Sequence, residues 1–143
     1  MGEPRPDMAK QIAEAAIAFQ RQTAGHAPKA ATVVLSQDTL VITLHEALSP
    51  AEKDLSRSPS GAAQVQEFHR LLFASSAQRL REEIQRITGV EVREAVAEIE
   101  SSVGAVVQAF TSSAMVQVFR LAQSVPAGSW SGTAPREPSN EGK

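Results

Sequence analysis

The feature that most constrains this chain is its longest helical pattern. Pro59 is followed by 29 residues without another proline before Gly89 closes the run. From about Ala62 to Thr88, apolar residues recur at spacings of three and four: Val65, Phe68, Leu72, Leu80, Ile84 and Ile87, widened by Leu71 and Phe73. That periodicity predicts an amphipathic helix. "QRLREEIQR" supplies Arg79, Arg81, Glu82, Glu83 and Arg86 for its solvent face. At ~1.5 Å per residue the helix is roughly 40 Å long, whereas a six-residue strand covers about 20 Å. One end must therefore pack on another helix, on the C-terminal segment or on another subunit.

The flanking segments predict the partners of that helix. Asp7 can cap a first helix in which Met8, Ile12, Ala15, Ala16 and Phe19 form one stripe, with Gly25 placed to end it and Pro28 beyond. "AATVVLSQDTLVITLHEAL" reads as a β-hairpin turning at Gln37 and Asp38. In its second strand Leu40, Ile42 and Leu44 point one way and Val41, Thr43 and His45 the other. After Gly89, "VEVREAVAEIE" and "GAVVQAFTSS" read as two more strands. Val90, Val92 and Ile99 share a face only if a bulge or bend intervenes near Glu94. "AMVQVFRLAQSV" fits a helical stripe through Met115, Phe119 and Ala122 and would also allow β continuation; a short helix or irregular apolar segment is expected. The expected fold is α+β, in two αββ halves. A four-stranded, mainly antiparallel sheet packs against the first helix and the long helix. Residues 1–7 are expected to be a flexible tail, 8–125 a single domain and 126–143 a disordered tail rich in Gly, Ser and Pro.

Several function classes are disfavoured at this level. A net charge of −2 argues against a nucleic-acid binder. With no cysteine there is no disulfide, thiolate nucleophile or cysteine-held metal. No apolar run approaches the ~20 residues that span a bilayer, so direct membrane insertion is not expected. His26, His45 and His69 lack metal-ligand spacing, and no phosphate loop, dinucleotide fingerprint or nucleophile elbow occurs. No cofactor, no metal site and no enzymatic activity are expected.

Two loops are more informative. Gly25-His26-Ala27-Pro28-Lys29 is first a helix stop, and it could also present His26 and Lys29 to an anion or a partner. Val41, Thr43 and His45 on the second sheet face are the matching candidates to line a ligand site. In "LSPAE", Ser49 fits an N-cap, Pro50 the first helical position and Glu52 the returning side chain of a capping box. That assignment leaves Glu52 no need of a catalytic role.

Taken in order, these pieces resemble a small bacterial family, the MpsC-like component of a Na+-translocating membrane-potential-generating system. The resemblance runs from Ala9 to Thr111 and rests on Phe19 closing the first helix, Gly25-x-x-Pro28-Lys29, the valine-rich hairpin, "LSPAE", "ITGVEV" at Ile87 to Val92, Glu98-Ile99, and a Gly104-led strand ending in Phe110-Thr111. Ala27 stands where the family usually has Gly, Glu98 where Asp is common, and Ala105-Val106 in place of a charged pair, hinting at an altered interface. The resemblance implies a cytoplasmic accessory or regulatory component, peripheral to the inner face of the membrane, of a system for cation-coupled inorganic-carbon uptake or membrane-potential generation. It brings no catalytic residues. A homodimer and a membrane transporter subunit are the expected partners, and an anion- or nucleotide-sensing domain is the alternative. The candidate binding residues are Gly25, His26, Pro28, Lys29, His45 and Glu98.

Overall fold

A computed structural model describes residues 7–99 and 113–125. Their elements, in chain order, are α1 (Asp7–Ala24), β1 (Ala30–Ser36), β2 (Thr39–His45), α2 (Pro50–Leu55), α3 (Pro59–Thr88), β3 (Val92–Ile99) and β4 (Met115–Leu121). The fold is α+β. All strand pairs are antiparallel, in the order β1-β2-β4-β3. Both α1 and α3 pack on one face of the sheet.

Local chemistry explains most of the elements. The β1–β2 hairpin turns through Gln37 and Asp38, with Ser36 paired to Thr39 and Gln37 at a positive φ of 58°. The left-handed geometry at the first loop position matches the twist of the flanking strands. A register shift between Val92 and Glu94 supplies the expected bulge and brings Val92 and Ala97 to the core face. At the open edge of β3, Arg81 donates to the carbonyls of Val92 (3.0 Å) and Arg93 (3.3 Å), satisfying acceptors that an edge strand leaves bare.

The segment expected to be a short helix or irregular, from Ala114 onward, contains β4, the strand between β2 and β3. Its period is two: Met115, Gln117, Phe119 and Leu121 are buried, while Val116 and Val118 alternate to the other side. Two points of the helical stripe, Met115 and Phe119, lie on that alternation, whereas Ala122 is exposed beyond the strand; the two neighbours' need for ladder partners decides the outcome. The expected strand from Gly104 to Thr111 lies outside the described residues, as do residues 1–6 and 126–143 of the expected tails; Asp7, expected in the first tail, is instead the first residue of α1.

The long helix also differs in detail. It starts at Pro59, with Ser58 accepting the Gly61 N–H as N-cap, and its buried stripe is Val65, His69, Phe73, Ala77, Leu80, Ile84 and Thr88. Phe68 and Leu71, expected on that stripe, are 51% and 60% exposed. Alanines, a histidine and a threonine hold the core positions because their neighbours are close or satisfy them: Thr88 Oγ donates to the Ile84 carbonyl and accepts from Val90 N–H. As expected, α3 leans on the first helix. Phe73 meets Phe19 edge-on at 6.2 Å and Phe119 at 6.1 Å, so one ring joins both helices to the sheet.

Candidate functional site

The loop after α1 builds one corner of the sheet. Gly25 has φ +83°, a left-handed conformation that glycine adopts at little cost, and its N–H closes on the Arg21 carbonyl. The chain then turns through a buried Pro28 into β1. Lys29 N–H donates to the His45 carbonyl at 2.8 Å, and His26 Nε2 lies 3.2 Å from the Glu46 carbonyl, to which it donates. His45 Nε2 is 2.9 Å from Thr32 Oγ. The fold therefore brings His26, Lys29 and His45 together, and both imidazoles hold the corner's own structure. Glu98 is not part of it. Its register partner is Val116 on β4, which places its backbone two strands, roughly 10 Å, from β2.

The "LSPAE" stretch forms the capping box read from the sequence. Glu52 N–H donates to Ser49 Oγ (3.2 Å), and Ser49 N–H returns to Glu52 Oε1 (3.0 Å). The sequence reading missed the other carboxylate oxygen: Oε2 lies 2.9 Å from Nε2 of His69, which is only 2% exposed. Among the described residues His69 Nδ1 has no partner. The order Ser–Glu–His puts the carboxylate in the middle and turns the imidazole away from the hydroxyl, so the trio lacks the geometry of an activated nucleophile. It is a brace between α2 and α3. The detectable signal was positional: His69 lies four residues from both Val65 and Phe73, on the buried stripe. The same junction needs Gly61, since a Cβ there would meet the Leu55 carbonyl oxygen. Removing the cap by Ser49→Ala is expected to cost about 1 kcal/mol in urea denaturation. Glu52→Ala should cost more, about 2–3 kcal/mol, because it also leaves a buried imidazole without its partner.

An open groove of about 500 Å³ runs between α1 and α3, floored by Ala15, Ala18, Phe19 and Leu80. Its arginines have partners already: Arg79 donates to Gln22 Oε1 at 2.7 Å and Arg86 to Glu83 at 2.6 Å. The hydrogen bond from Arg86 holds the Glu83 carboxyl below its usual range.

The most unusual surface is the sheet face turned away from both helices. The pairing aligns Val34, Val41, Val118 and Val96 in one row across all four strands. Val34 and Val96, at its ends, are 48% and 57% exposed, and Val41 and Val118 are half-buried. Thr32, Thr43 and Val116 form the next row, with the His45 corner beyond it. On the other side Ser36, Thr39, Arg120 and Glu94 make a polar row, where Arg120 lies 3.8 Å from Asp38. No element among the described residues covers this face.

The family model described as Na+-translocating membrane potential-generating system (MpsC) matches residues 5–113, 109 of the 143. The chain belongs to the MpsC family. Comparisons with curated proteins and with solved structures give no significant match. The MpsC match takes in the corner, the capping box and the whole of α3, and stops two residues before β4. The central strand of this MpsC domain thus lies beyond the matched span. Among its described residues no helix is long and apolar enough to cross a membrane.

Proposed function

We propose that this MpsC domain is a non-enzymatic accessory component of a membrane cation-transport or membrane-potential-generating system, including one that couples cations to inorganic-carbon uptake, and that it acts by binding. The observation that carries the reading is the valine-rich outer sheet face. A continuous row of four β-branched side chains, two exposed and two half-buried, is unfavourable for an isolated domain, and it is the composition a docking surface requires. Family membership supplies the membrane system as context. The brace at Glu52 and His69 and the corner at His26 and His45 serve as scaffold in this reading. They hold the strand ends and the α2–α3 junction that keep the sheet face in shape.

The test is capture of the tagged protein from detergent-solubilised membranes of its own cells. Recovery of an integral membrane transporter subunit with the wild type, and its loss with V96K, is the expected result. Equal recovery with V96K, in a variant whose melting matches the wild type, would remove the face from the role.

A further inference from the structure

The outer face has a pattern that suits one particular occupant. Resting on the reading of that face as a docking surface, we infer that a second copy of this chain covers it, with a two-fold axis parallel to the strands between β2 and β4, so that the membrane subunit is held by the paired domains and V96K releases it by separating them. Such an axis exchanges β1 with β3 and β2 with β4. The valine row is symmetric about it: the two exposed ends, Val34 and Val96, face each other across the contact, as do the half-buried Val41 and Val118. An isologous contact must complement itself in this way. The polar row obeys the same operation. Arg120 of one copy meets Thr39 and the adjoining Asp38 of the other, so the pair made within each chain gains a counterpart between chains. Glu94 meets Ser36, and no like charges are opposed.

Size agrees with the symmetry. Four strands ~4.8 Å apart and seven residues long at ~3.3 Å each make a face of roughly 19 by 23 Å. Two such faces closing on each other bury on the order of 1,000 Å², the lower bound of a specific interface. Two sheets packed this way form a sandwich with the helices outside. A partner with a strong single-sign charge finds no charge to pair with along the valine row, which favours the copy over a basic or acidic ligand surface.

The absence of cysteine makes the geometry directly testable. In V34C/V96C the two thiols of one chain are three strands apart, ~14 Å, too far for an internal bridge, because disulfide-linked Cα atoms lie within about 7 Å. Mild oxidation of the double variant is expected to give a covalent dimer, and V34C alone or V96C alone to give little. Cross-linking by each single variant as readily as by the double would place the axis across the strands and overturn the assignment. Light scattering of the full chain should give twice the 15.2 kDa of one chain, and V96K should weaken association at least a hundredfold with unchanged melting of the monomer. A wild-type mass of one chain up to hundreds of micromolar refutes the inference, as does an undiminished V96K dimer. The membrane capture above separates the two claims. A monomeric wild type that still loses its transporter on V96K keeps the docking face and removes the copy. A dimer lost on V96K with transporter recovery intact keeps the copy and removes the functional reading.

Discussion

A chain ending at Ser113, where the family match stops, will lose cooperative folding. The strand removed, β4, is hydrogen-bonded on both sides, to β2 through Thr39–Leu44 and to β3 through Val92–Ile99. Its removal leaves β1–β2 as a hairpin and β3 as a single strand on α3, and a two-stranded hairpin is marginal in water. The cut also deletes Met115, Phe119 and Leu121, all essentially buried. At about 1.5–3 kcal/mol for each buried side chain, the loss approaches the whole stability of an ordinary domain, about 5–15 kcal/mol. Far-UV circular dichroism during a thermal melt provides the check. The truncated chain should melt without a sharp transition, while residues 1–125 retain one. A cooperative transition in the 113-residue chain would mean that β4 is dispensable.

The second large effect is expected at Phe73. Its ring is almost wholly buried and touches Phe19 on α1 and Phe119 on β4, the latter at an interplanar angle of 62°. Phe73→Ala should destabilise by about 3–5 kcal/mol in urea denaturation, the usual range for emptying an aromatic site in a core. A double-mutant cycle with Phe119→Ala should return a coupling of about 0.5–1.5 kcal/mol. A loss below about 1 kcal/mol would show that α1 and α3 close over the gap, and that the ring is not what joins the layers.

The parts of this fold legible in the sequence are those set by near neighbours. The Gln37-Asp38 turn, the Ser49–Glu52 box, Gly25 and Gly89 as helix ends, and the bulge before Glu94 each follow from a few adjacent residues. The misreadings share a different cause: each depends on a partner distant along the chain. Met115–Leu121 is a strand because β2 and β3 both pair with it, and its own pattern admits two periods. His69 occupies a core position because Glu52, 17 residues earlier, reaches its Nε2. Phe68 lies on the apolar spacing and Leu71 beside it, yet both are exposed, because the helix turned toward the face that α1 and the sheet could fill. Gln117 lies at 0% exposure on the core face of β4, a position an apolar residue would have announced. The candidate site was legible in the same measure. Sequence spacing located the loop that joins His26, Lys29 and His45. The valine row needed the register, because its four members come from four strands and span 84 residues of sequence, from Val34 to Val118.

The strand order also sets a timetable for making the protein. Thr39 finds its partner at Arg120, 81 residues later, whereas β1 and β2 can join across a two-residue turn. Closing so long a loop precedes any reward from the contacts it permits, and such topologies fold slowly. On the ribosome the inner edge of β2 must wait for nearly the whole domain to emerge. Until then its row of unsatisfied amides and carbonyls, beside Leu40, Ile42 and Leu44, is open to any other extended chain. Nascent copies at high density are therefore most vulnerable to mispairing in the interval between synthesis of α3 and release of β4.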